Sequence, residues 1–190
     1  MKNKFSVHNA DILLIDHQQG TIKLARNLPH DVIVQNTRAL ARTAKETGMP
    51  LVLTSSMETE FQGLLLDDLQ AIAPEAYEQR VKRPGMVDCW KYGDYKQAVE
   101  ATGRKKLIMA GLTNDVCIVY PAISAVEDGY EVQVVVDAGG SPTTLADETA
   151  LRRMEKHGVM LTSTNQVMAE LAVSWSYDFG KTIQLCTKKF

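Results

Sequence analysis

Residues 107–136 read LIMAGLTNDVCIVYPAISAVEDGYEVQVVV. An unbroken apolar run at 107–110 ends at Gly111, a short polar turn follows, and a helix is expected to begin near Asn114 or Asp115 and continue to Glu127. Gly129 then occupies the position where a left-handed residue ends a helix at little energetic cost, and a second apolar run opens at 132. Strand, helix and strand in so short a span make a right-handed crossover between two parallel strands.

The same pattern extends in both directions. Apolar runs at 11–15, 51–54, 77–81 and 159–162 alternate with helical-period segments at 31–47, 65–72, 94–102 and 143–157. Gly48, Gly103 and Gly158 repeat the stop seen at Gly129. The chain is therefore expected to be a doubly wound α/β fold, six parallel strands in the order 3-2-1-4-5-6 with helices on both faces. Runs such as LLI and VQVVV are apolar throughout, as strands buried on both sides are. With 190 residues, 1–190 is expected to be a single domain, in which 176–190 is a polar C-terminal extension with little pattern.

Composition narrows the function. Hydrophobic residues make up 45% and charged residues 23%, as in an ordinary globular protein. A net charge of -2 provides no positive field to gather nucleic acid or anionic lipid, so a small-molecule substrate is expected, with no nucleic acid and no membrane partner. Residues 1–10 lack a signal-type apolar stretch, and no run approaches the ~20 residues that span a bilayer. Cys89, Cys117 and Cys186 form no CxxC pair and have no histidine at zinc-ligand spacing, which fits reduced thiols in a cytoplasmic protein. A nucleotide-binding module is disfavoured because neither GxGxxG nor GxxxxGK[ST] occurs.

In doubly wound sheets, ligands bind outside the carboxyl ends of the strands. Asp16 ends the first run, Lys82 and Arg83 end the third, and Cys117 falls in the first turn of the helix after the fourth. Strand alternation allows only one of the two cations to face a pocket. The helix N-terminus is expected to depress the Cys117 pKa. With the order 3-2-1-4-5-6 these positions converge. Asp16 would then serve as base, the cation would hold the carboxylate, and the N–H groups of Cys117 and of the turn before it would cradle an oxyanion. Phe61 and Trp90 are candidate walls for a substrate pocket. His17, pointing away by alternation, is expected to be structural, Asp137 to tie the following loop, and Cys89 and Cys186 to be inert.

The segments LLIDHQQG, KRPG with MVDCW after it, and IMAGLTNDVCIVYPAISAVEDGYEVQVVVDAGGS together resemble the isochorismatase-like cysteine hydrolase superfamily, most of all its YcaC-type hydrolases. The resemblance covers about 11–175. It implies a six-stranded parallel sheet and an Asp–Lys/Arg–Cys triad acting on amide, carbamoyl or related C–N bonds through a covalent Cys117 intermediate. Aligning on the Arg-Pro-Gly segment favours Arg83 over Lys82 as the cation. A non-proline cis peptide between Leu112 and Thr113 is implied too, with Thr113 and Cys117 forming the oxyanion hole, and so is a homo-oligomer, tetramer or octamer. Nicotinamidases of this superfamily carry an Asp-x-His metal cluster after the second strand. The stretch LTSSMETEFQG contains no histidine, so Glu58 and Glu60 are not expected to hold a metal and no cofactor is expected. Asn114 stands where many relatives have Thr, and either residue can cap a helix. The alternatives are vinyl-ether hydrolysis of the isochorismatase type and a non-catalytic oligomeric binding protein.

Overall fold

The computed structural model describes residues 4–188. β1 (Ala10–Ile15) and β2 (Leu51–Ser56) are joined by α1 (His30–Thr47), and α2 (Asp67–Ile72) and α3 (Pro74–Glu78) lead into β3 (Val81–Arg83). Next come α4 (Gly93–Glu100), β4 (Lys106–Gly111), α5 (Val119–Glu127), β5 (Glu131–Val135), α6 (Thr144–Lys156), β6 (Met160–Thr162), α7 (Thr164–Ala172) and α8 (Asp178–Lys188). The six strands form one parallel sheet in the order β3-β2-β1-β4-β5-β6, as expected. Gly48, Gly103, Gly129 and Gly158 all adopt positive φ after their helices.

Every residue of β1 is buried, and strand alternation divides the core. Ile12 and Leu14 pack with Ile108 and Ala110 beneath α1, α7 and α8, while Leu13 and Ile15 pack with Leu107 and Met109 beneath α4, α5 and α6. Thr54, Ser55, Ser56 and Arg83 are buried polar residues at the carboxyl ends of β2 and β3, and Asp16 is buried just beyond the end of β1.

Three segments differ from the sequence reading. The run 77–81 is not a strand from its start: Pro74 opens α3, Tyr77 is buried on that helix, and pairing begins at Val81. The segment 164–172 forms α7, whose start is a capping box between Ser163 and Gln166. Much of 176–190, read as an extension with little pattern, is the helix α8 packed on α1 and α7. Its Phe179, Ile183 and Cys186 recur at i, i+4 and i+7, with Ile183 and Cys186 buried.

Gly111 sets the approach of the β4 exit to β1. A Cβ there would lie 2.3 Å from the Ile15 carbonyl oxygen and 2.5 Å from Ile118 Cδ1, whereas one on Gly93 would meet nothing within 4 Å. Chemical denaturation is expected to show Gly111→Ala destabilised by about 1–3 kcal/mol, the usual effect of overpacking, and Gly93→Ala close to wild type. Equal stabilities for the two variants would contradict this packing.

Candidate active site

Asp16 leaves β1 in a left-handed conformation, φ 56°, rare for a residue other than glycine. Its N–H donates to the Thr54 carbonyl at 3.0 Å and its own carbonyl accepts from Gln18 N–H at 2.7 Å, so the chain reverses at once and the carboxylate stays buried. Gln18 clamps the neighbouring strand end: its amide nitrogen donates to the Ser56 carbonyl and its amide oxygen accepts from Ser56 N–H, both at 2.9 Å.

Alternation on β3 separates the two cations. Lys82 projects outward with a largely exposed side chain, 3.9 Å from Glu58, while Arg83 turns inward and is 3% exposed. Its three guanidinium nitrogens serve three acceptors. Nε donates to Thr54 Oγ1 at 3.0 Å, Nη1 to the Met86 carbonyl and Nη2 to Asp16 Oδ1. Because β2 lies between β3 and β1, Thr54 is the stepping stone, and its hydroxyl in turn donates to the Val81 carbonyl at 2.7 Å. Asp16 Oδ2 is buried and has no well-formed partner among the described residues.

Cys117 arrives from β4 through a cis Leu112–Thr113 peptide. It lies in a single π-helical turn, Asn114–Ile118, ahead of α5, not in the first turn of an α-helix. π turns are concentrated at functional sites. The Cys117 N–H, expected in an oxyanion hole, donates to the Thr113 carbonyl at 2.9 Å, and Ile118 N–H shares that acceptor at 3.2 Å. Thr113 is itself buried. Asn114 does not cap the turn with its side chain. Its Nδ2 donates to the Val136 carbonyl at 3.2 Å and to Asp147 Oδ1 at 3.0 Å, its N–H donates to Gly140, and Ser141 Oγ reaches the same Asp147 oxygen at 2.6 Å. Asp147 thereby pins the Cys117 turn to α6, a link the sequence reading missed.

Electrostatics reverse one expectation. The Cys117 thiol is pushed up to about 12 by burial and by the adjacent Asp16 carboxylate, with Thr113 and Arg83 opposing. Burial also raises the Asp16 carboxyl above its usual value of 3.8, against the pull of Arg83 and of the Cys117 thiol. The site at rest therefore holds Cys117 as a thiol, not as a stored thiolate.

The remaining residues separate clearly. His17 is buried, its Nε2 2.8 Å from the Ala138 carbonyl, and burial lowers its pKa to about 4, so the ring is neutral. Asp137, expected to tie the loop that follows it, instead holds the start of α7, accepting from the N–H and hydroxyl of Thr164 at 2.7 Å each. Glu58 is taken by Arg80 at 2.6 Å and by Ser55 at 2.7 Å, while Glu60 is exposed. Trp90 borders a surface cavity with Lys96, Ser124 and Asp128, and that cavity includes none of Asp16, Arg83 and Cys117. Trp90 itself is buried, its indole N–H donates to Asp128 at 2.8 Å, and it stacks edge-on with Tyr95 and Tyr130. Phe61 is 60% exposed on the β2–α2 loop. Cys89 lies close enough for its ionisation to respond to Arg83, Asp16 and Cys117, yet burial drives its thiol far above the ordinary value. Its nearness to the site had no local signal in the sequence.

Known proteins resemble this chain in sequence and in fold. Residues 11–166 match the isochorismatase domain. Over 171 residues the chain is 37% identical to the probable hydrolase YcaC of Escherichia coli (strain K12), covering 90% of this chain and 81% of that protein. The E. coli YcaC structure, described as an octameric hydrolase of unknown specificity, superposes with a TM-score of 0.92 at 35% identity, covering 98% of this chain and 90% of that one. YcaC from Pseudomonas aeruginosa, solved with hexane-2,5-diol and covalent acrylamide, gives a TM-score of 0.92 at 34% identity, covering 98% and 91%. A domain match over most of the chain and a curated hydrolase relative of this similarity place the protein in the isochorismatase family of hydrolases.

Proposed function

We propose that the protein is a cysteine hydrolase of small amide, carbamoyl or related C–N substrates, with Cys117 as nucleophile, Asp16 as base and Arg83 as the cation that holds Asp16. The observation that carries this is the meeting of a buried, ion-paired carboxylate with a half-buried thiol at the carboxyl ends of β1 and β4. The acrylamide held covalently in the Pseudomonas relative supports it, because acrylamide is an electrophile that thiols attack and is itself a small primary amide. In the reaction, Asp16 Oδ2 takes the Cys117 proton as Sγ bonds to the substrate carbonyl carbon. The tetrahedral adduct collapses as the C–N bond breaks, and Asp16 returns the proton to the leaving nitrogen. Asp16 then takes a proton from water, which attacks the thioester carbonyl. The acid leaves and Cys117 recovers its proton.

Oxyanion stabilisation falls to backbone at Thr113 and Cys117. The Cys117 N–H serves there by sharing its bond to the Thr113 carbonyl, which makes the π turn the adjustable part of the site. No metal or other cofactor enters the scheme. We also propose a homo-oligomer, since the E. coli relative is described as octameric, and a cytoplasmic location, consistent with reduced thiols.

A second reaction has one observation in its favour. A carboxyl whose pKa is raised by burial suits a proton donor, as vinyl-ether hydrolysis of the isochorismatase type would need. Cys117→Ala separates the two chemistries: C–N hydrolysis disappears, whereas vinyl-ether cleavage survives.

A screen of small amides and carbamoyl compounds is expected to find turnover that Cys117→Ala abolishes and that Asp16→Asn lowers by about 10²–10⁴-fold, the usual contribution of a positioned base. Because Asp16 must be ionised to act and its pKa lies above 3.8, the rate should fall on acidification through that raised value. An acid limb near 3.8 or below would contradict the assignment. Under native conditions acrylamide should modify Cys117 ahead of the buried Cys89 and Cys186, as peptide mass spectrometry would show.

A further inference from the structure

We infer that Asp147 is a positioning residue for the candidate site, fixing where the Cys117 thiol stands relative to Asp16, an inference that rests on the reading of Cys117 as nucleophile. Asp16 and Cys117 follow neighbouring strands, and each is anchored from its own side of the sheet. Arg83 and Thr54 hold Asp16 from β3 and β2. The Cys117 turn is held from the other side, by the segment after β5 and by α6.

Both neighbours of Thr113 are tied to Gly140: Leu112 pairs with it in an isolated bridge, and Asn114 N–H donates to its carbonyl at 2.9 Å. The Asn114 side chain makes the outer attachment. Its Nδ2 donates to the Val136 carbonyl and to Asp147 Oδ1, whereas its own Oδ1 is buried with no hydrogen-bond partner among the described residues. Turning the amide over would set that oxygen against two acceptors, so Val136 and Asp147 fix its orientation. Asp147 is fixed in turn, because Ser141 Oγ donates to the same Oδ1 at 2.6 Å and Ser141 N–H donates to Asn27 Oδ1 at 2.7 Å. A buried acceptor left unpaired is costly, and an apolar side chain at 114 would pack the turn on α6 without that cost. What the polar chain adds is a fixed position. The Thr113 carbonyl, beside this anchor, accepts from the N–H groups of Cys117 and Ile118, so a shift of Asn114 would move the π turn and carry the thiol away from Asp16.

The test measures iodoacetamide labelling at mildly alkaline pH and turnover of an amide found in the screen above, in wild type, Asp147→Ala and Asp147→Asn, with circular dichroism to check the fold. The alanine removes the acceptor, whereas the asparagine keeps an oxygen that can accept from Asn114 and Ser141. In Asp147→Ala the thiol, otherwise pushed up to about 12 by burial and by Asp16, should be alkylated several-fold faster while kcat falls by up to about 10²-fold at a near-constant KM. Labelling of Cys89 and Cys186 should stay slow, and Asp147→Asn should return both readings to within a few-fold of wild type. A folded Asp147→Ala with wild-type labelling at Cys117 or wild-type kcat would overturn the inference, as would equal acceleration at all three cysteines or an asparagine variant no better than the alanine. Should Asp147→Ala fail to fold, Ser141→Ala decides: faster labelling at Cys117 supports the inference and a wild-type rate overturns it. Faster Cys117 labelling in Asp147→Ala with no turnover in wild type would leave the positioning of the thiol standing and overturn the hydrolase reading instead.

Discussion

A carboxylate and a guanidinium buried side by side are expensive to remove from water, and such a pair persists only where every remaining donor and acceptor is matched. Arg83 meets that condition by offering its planar fork to Thr54, Met86 and Asp16 at once. A lysine ammonium at the same place lacks the reach and the fixed geometry to do so. The contact spans three strands, since Arg83 lies on β3, Thr54 on β2 and Asp16 at the end of β1. It therefore exists only in this strand order. The short strand β3, barely long enough to pair, is held where it must be to bring Arg83 inward.

That ion pair determines what Cys117 can be. A helix terminus contributes about 0.3–1 kcal/mol to a nearby charge when exposed, and up to about 2 kcal/mol when partly buried. Moving a thiol from its ordinary 9.0 to about 12 corresponds to roughly 4 kcal/mol. Burial and the neighbouring carboxyl group thus outweigh the dipole, and in the proposed reaction the thiolate would be made only when Asp16 accepts its proton. The buried ion pair opposes the desolvation that raises the Asp16 carboxyl, as does the Cys117 thiol, without overcoming it.

Much of the scaffold was legible because local chemistry dictates it. The positive-φ glycines after α1, α4, α5 and α6 mark where helices stop, and the unbroken apolar strands mark a sheet covered on both faces. Alternation on β3 already required one cation to point away, and the resemblance favoured Arg83. The start of α7 is written in Ser163 and Gln166, and the buried stripe of α8 in Phe179, Ile183 and Cys186, although the α8 segment looks polar as a whole. The elevated thiol, the engagement of the Cys117 N–H by Thr113 and the link from Asn114 to Asp147 were not legible. Each depends on groups far apart in the chain, and no spacing encodes the desolvation they produce together.

The central claim is that Asp16 holds the Cys117 proton in place at rest and removes it only in the reaction. The most direct test is the pH dependence of Cys117 alkylation in wild type and in Asp16→Asn. Removing the negative charge should lower the apparent pKa of the thiol, so that the variant, although slowed in the proposed hydrolysis, is alkylated faster than wild type at mildly alkaline pH. An unchanged or higher apparent pKa in Asp16→Asn would contradict the coupling on which this account of the site depends.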